Sequence, residues 1–165
     1  MAQTRARGTV NRNNMRINRV RALNERNVAV NRNSSLRNRI SFSQAMNLHR
    51  HEFHDRDWWR RHFRIVIINN NAFFFDTGFW FPAWGYFPEA YYPYDGPIYA
   101  YNGLTPDQVV VNVQLQLQRD GYYTGPIDGV LGSMTRDAIA AFQADHGLAV
   151  TAAIDQATVS TLGLT

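Results

Sequence analysis

The sequence predicts an α+β protein in which a basic arm without regular structure precedes a small aromatic-rich antiparallel β meander and a C-terminal module of three helices. Three observations carry that prediction. The charge divides sharply along the chain, β-branched and aromatic runs in the middle are separated by Asn and Gly turns, and the last third repeats helix-start and helix-stop signals.

The arm comes first. Residues 1–64 hold fifteen Arg against four acidic residues, a net charge of +11, whereas residues 65–165 hold two Arg against nine, a net charge of −7. There is no Lys and no Cys among the 165 residues. Without Cys, disulfides, a thiolate nucleophile and Cys-ligated zinc or iron–sulfur sites are excluded. Over residues 1–40 Arg alternates with Asn, as in Asn11-Arg12-Asn13-Asn14 and Arg37-Asn38-Arg39. Asn competes with helix and strand for backbone hydrogen bonds and like charges repel, so this zone is expected to be disordered. Its charge suits a polyanion: anionic lipid, polysaccharide, nucleic acid or the acidic half of its own chain. Nucleic acid is the least favoured, because no aromatic residue is interleaved to stack on bases.

Residues 41–102 form the second zone. Ser41 with Gln44 fits a capping box, and Phe42, Ala45, Met46, His49 and Phe53 then follow at helical spacing. A second short helix is expected to start at Asp57, with its carboxylate capping Trp58-Trp59-Arg60-Arg61. Ile65-Val66-Ile67-Ile68, Phe73-Phe74-Phe75 and Phe79-Trp80-Phe81 read as three strands, joined by turns at Asn69-Asn70-Asn71 and Asp76-Thr77-Gly78. Pro82, Pro88, Pro93 and Pro97 then make residues 83–101 an extended wrap. From Phe73 to Tyr101, fourteen of 29 residues are Phe, Trp or Tyr, too many to stay solvated, so this zone is expected to dock on the C-terminal module.

Residues 103–165 are the third zone. Thr105-Pro106-Asp107 is a helix start, with Thr105 as N-cap and Pro106 as the first helical residue. The run Val109–Leu117 fits both a strand alternation and a helix face. A Gly-rich loop from Gly121 to Gly132 follows, then a helix opened by Thr135 with Ala138, Ile139 and Phe142 on one face, and a short helix capped by Asp155.

These residues carry a resemblance. The positions Val110, Val113-Gln114, Leu117, Gly121-Tyr122-Tyr123, Ile127-Asp128-Gly129, Gly132, Thr135, Phe142-Gln143, Gly147-Leu148, Ile154-Asp155, Thr158 and Leu162 resemble, in type and spacing, the pattern of the small three-helix peptidoglycan-binding modules of bacterial cell-wall proteins. The resemblance covers about residues 104–163 and implies that Val109–Leu117 is helical. It implies a non-catalytic protein of the cell envelope, in the periplasm or outside the cell, with peptidoglycan as its partner and no cofactor. Contacts with a glycan or stem peptide would come from Tyr122, Tyr123, Asp128, Gly129, Thr135 and Gln143. The chain departs from the family where Gly usually precedes the last Ile-Asp, having Ala152-Ala153 instead. If φ is positive there, Ala costs about 1 kcal/mol. The aromatic zone, through Asp55–His62, Phe79–Tyr86 and Tyr94–Tyr99, is similar to a segment that precedes this module in some secreted bacterial proteins.

A metal-dependent cell-wall hydrolase is the alternative. Within His49–His62, a helix would bring His51, His54 and Asp55 to one face as three ligands. Arg50, Arg56, Arg60 and Arg61 oppose a dication there and no HExxH spacing occurs, so the expectation is no metal and a solvated helix face. Lacking Cys, the chain cannot be a cysteine-dependent transpeptidase. No run is apolar enough to span a bilayer, which takes about 20 residues. The start Met1-Ala2-Gln3-Thr4-Arg5 has no apolar leader and fits both a mature chain behind a removed signal peptide and a cytoplasmic start.

Overall fold

A computed structural model of the chain describes residues 39–165. The expectation of disorder for the arm falls on residues 1–38, outside the described residues. Arg39 and Ile40, counted with the arm on composition, are packed: Ile40 lies against the core, and the Arg39 guanidinium sits 4.8 Å from the centre of the Tyr99 ring and donates to the Ala100 carbonyl at 3.2 Å.

Helix α1 (Phe42–Leu48) starts with the capping box read from Ser41 and Gln44. It ends at Leu48, so His49 and Phe53 are not on its face; Phe53 is exposed and forms an isolated bridge with Trp84. Helix α2 (Arg56–His62) is capped by Asp55, whose carboxylate accepts the Trp58 N–H at 2.7 Å. The expected cap, Asp57, lies inside the first turn instead. Both carboxylates suit a helix N-terminus, and only one reaches an N–H two or three residues ahead.

Strands β1 (Ile65–Ile68), β2 (Asn71–Asp76) and β3 (Phe79–Pro82) make the expected meander, and β4 (Ile98–Tyr99) adds a fourth antiparallel strand in the order β1-β2-β3-β4. That last strand lies in the segment expected to be an extended wrap. Asn69 and Asn70 have φ of 47° and 62°, and Thr77 and Gly78 have φ of 49° and 94°. Two successive positive φ values match the twist of the flanking strands in two-residue hairpins, which is why Asn and Gly stand there.

On the inner face of the sheet, Phe74 stacks on Trp59 at 4.7 Å and both are fully buried. The Trp59 indole N–H donates to the Trp84 carbonyl at 2.8 Å. In the wrap, the Tyr92 hydroxyl donates to the Ala72 carbonyl at 2.7 Å and accepts the Ala72 N–H at 3.0 Å. Burial pushes this phenol up to about 12.

The C-terminal region is helical: α3 (Pro106–Arg119), α4 (Ser133–Asp145) and α5 (Gln156–Thr161). The ambiguous run Val109–Leu117 lies within α3, where Val109, Val110, Val113 and Leu117 are buried. Helix α4 begins at Ser133, so Thr135 is its third residue rather than its opening one. Asp155 caps α5 through the Thr158 N–H at 2.8 Å.

Sheet and helices share one hydrophobic core. The Tyr99 N–H donates to the Ile154 carbonyl at 2.9 Å, the Trp80 indole donates to the Leu104 carbonyl at 3.0 Å, and the Arg136 guanidinium lies 5.0 Å over the Tyr94 ring. The aromatic zone thus docks on the helices. Four short strands have too little core of their own.

Candidate functional site

Gln114 stands at the centre of the C-terminal region. It projects from the buried face of α3 and is fully buried, so its amide has to be satisfied by protein groups. Its Oε1 accepts the N–H groups of Asp128 and Gly129 at 3.1 and 3.0 Å. Its Nε2 donates to Asp128 Oδ1 at 2.9 Å, Thr135 Oγ1 at 3.0 Å and the Val130 carbonyl at 3.2 Å. Asp128 Oδ1 also accepts the Val130 N–H at 2.9 Å. One side chain therefore fixes the whole Ile127–Leu131 turn. Gly129 has φ of 73°, and a Cβ there would meet the Asp107 carbonyl oxygen at 3.1 Å, so glycine both permits the turn and lets it lie against the start of α3.

Gln143 makes a second network on the next helix. Its Nε2 donates to Thr158 Oγ1 at 2.8 Å, Thr151 Oγ1 at 2.9 Å and the Ala153 carbonyl at 3.2 Å. Its Oε1 accepts the N–H groups of Thr151 and Ala152 at 2.9 and 3.0 Å. Ala152 has φ of 52°, so the left-handed residue of this turn is an alanine, one position before Ala153, which directly precedes Ile154-Asp155.

The six residues expected at a binding site fall in three places. Tyr123, Asp128, Gly129 and Thr135 gather around Gln114. Tyr123 is buried with its hydroxyl donating to the Pro126 carbonyl at 2.7 Å, and Thr135 is buried with its hydroxyl shared by Gln114 and Val130. Gln143 is fully buried in the other network. Tyr122 lies on α4, edge-on to Phe142 at 5.4 Å, and donates to Asp145 at 2.9 Å, a bond that holds its phenol above the ordinary range. Asp128 is the exposed member of the set. Gln114 was part of the motif but not among the expected contacts; a lone Gln on the apolar face of a helix is the signal that would have found it.

The His-rich segment does not assemble three ligands. Past the end of α1 the helical spacing that would align His51, His54 and Asp55 is gone. His51 pairs with Asp95 at 2.8 Å, His54 with Glu52 at 3.1 Å, and Asp55 caps α2. His49 lies between two carboxylates, Glu52 at 2.5 Å and Asp76 at 2.9 Å, with its ring edge-on to Phe74 at 4.9 Å. Burial works to raise the Glu52 carboxyl, but hydrogen bonds and charge from His49 and His54 hold it below its ordinary value. Among the described residues, no group of three or more His, Asp or Glu could hold a metal ion.

Residues 106–162 match the family model described as "Putative peptidoglycan binding domain". The match takes in α3, α4, α5 and both glutamine networks, about a third of the chain. Comparison with curated proteins and with solved structures found no match. Among the described residues, no helix is long and apolar enough to cross a membrane.

Proposed function

We propose that this is a non-catalytic protein of the bacterial cell envelope that binds peptidoglycan through residues 103–165, in the periplasm or outside the cell. The observation that carries the reading is the family match over residues 106–162. The two glutamine networks support it, because they hold two loops rigid at the ends of α3 and α4, and preorganised loops bind without a large ordering cost. In this reading the exposed Asp128 meets the ligand through Oδ2, its Oδ1 being engaged by Gln114 and Val130, and Tyr122, against Phe142 and Asp145 at the other end of α4, is a separate contact. Tyr123, Thr135 and Gln143 act from beneath by fixing the loops, since their polar atoms are already engaged within the protein.

The test is co-sedimentation of the full chain with purified insoluble sacculi at moderate salt, with an assay for released muropeptides alongside. The chain is expected in the pellet and no fragments in the supernatant. Protein left wholly in solution ends the binding reading, and released fragments end the non-catalytic one.

A further inference from the structure

Between the aromatic sheet and the helices lies a cavity of about 120 Å³. The sheet side contributes Phe73, Tyr92 and Tyr94, and the helical side contributes Asp107, Asp128 and Val130. The two tyrosine hydroxyls are already committed, to the Ala72 and Pro97 carbonyls, so the rings offer apolar and π surface rather than hydrogen bonds. The charged groups among its lining residues are two carboxylates, which stand with the side-chain amides of Asn69 and Asn71. Asp107 takes the Thr105 hydroxyl on Oδ1, and Asp128 takes Gln114 and Val130 on Oδ1. Every ion pair among the described residues joins a His to a carboxylate elsewhere, so neither Asp107 nor Asp128 is paired with a cation there. Among the described residues, no Arg or His lines the cavity.

Carboxylates beside aromatic rings in a partly enclosed space, paired with no cation among the described residues, select an ammonium group, which gains charge-assisted hydrogen bonds from the oxygens and cation–π attraction from the rings. The volume is about four times a water's share of the liquid, enough for a short alkyl chain ending in an amine. We propose that this cavity is a subsite for the free amine of a diamino acid in a wall stem peptide, gripped between the aromatic segment and the helical module. The proposal rests on the reading that the chain binds peptidoglycan, and it gives the aromatic segment a share in that binding.

The test compares co-sedimentation of the full chain with native sacculi and with sacculi whose free amines have been acetylated. Acetylation removes the ammonium and is expected to weaken retention about tenfold, the scale of one lost hydrogen bond to a charged group. Asp107→Asn should lose a similar factor on native sacculi and nothing further on acetylated ones. Val130→Lys, at an exposed position that lines the cavity, places a competing ammonium inside and should weaken binding to native sacculi likewise, with the circular dichroism spectrum unchanged. Equal retention of native and acetylated sacculi overturns the subsite and leaves the peptidoglycan reading standing, as does wild-type affinity in both variants. Absence of binding to native sacculi by the unaltered chain overturns that reading, and the subsite with it.

Discussion

Gln114 and Gln143 hold the same relation to the helix that follows each of them: the amide of one donates to Thr135, third residue of α4, at 3.0 Å, and the amide of the other to Thr158, third residue of α5, at 2.8 Å. Each also receives two successive N–H groups of the intervening loop on its Oε1. Helix, glutamine, loop and threonine thus recur as a unit along the module. Gln114→Leu keeps the volume but strands the Asp128 and Gly129 N–H groups, and should cost about 2–4 kcal/mol. Gln143→Leu should cost about the same, and because the two networks share no residue the double variant should be close to additive. Urea unfolding of the three variants measures this.

Ala152 sits at φ of 52° with its N–H bound to Gln143 and its carbonyl accepting Arg136 Nε at 3.2 Å. These bonds keep the turn in the left-handed region although the residue carries a Cβ. Ala152→Gly should therefore stabilise the protein by about 1 kcal/mol. The corresponding rise in Tm is about 2–4 °C, read by thermal denaturation.

Glu52 titrates below its ordinary value in the folded protein because His49 and His54 bond to it. A carboxyl with a depressed folded value binds more protons when unfolded, so its contribution is present above the unfolded value near 4.5 and is lost as the pH falls through the folded one. Stability measured from pH 6 downward should fall across that window, and Glu52→Gln should flatten the fall.

Tyr92 has the opposite sign. Its phenol is raised from 10 to about 12, so the folded state holds its proton longer and the contribution is complete below pH 10. Stability should decline as the pH rises from 10 towards 12, and Tyr92→Phe should weaken that dependence. The same substitution removes the hydroxyl that bridges the Ala72 N–H and carbonyl, which should cost about 1–3 kcal/mol at neutral pH.

Much of the fold was legible because its signals are local. Ser41 with Gln44, Thr105 with Pro106, and Asp155 three residues before Thr158 each satisfy backbone groups within one turn, so the pattern and the structure are nearly the same statement. The Asn69-Asn70 and Thr77-Gly78 turns are local in the same sense. Where two local choices are equivalent the pattern does not separate them: Asp55 and Asp57, two residues apart, both suit a cap, and it is Asp55 whose carboxylate accepts the Trp58 N–H.

The sequence by itself determined the charge division, the exclusion of cysteine chemistry, the three-strand meander and the helical character of the C-terminal third. Tertiary structure alone decided the rest. Strand β4 is two residues long and exists because β3 offers an open edge on one side and Ile154 a carbonyl on the other. Thr135 and Gln143, chemically suited to meet a ligand, are buried because the helices need their polar atoms to close the loops. The pairing of Asp107 and Asp128 around one cavity joins residues on a helix start and a distant loop. Capping and turn formation are settled among neighbours in sequence, whereas burial and the sharing of a cavity depend on which surfaces meet, and only the packed chain fixes that.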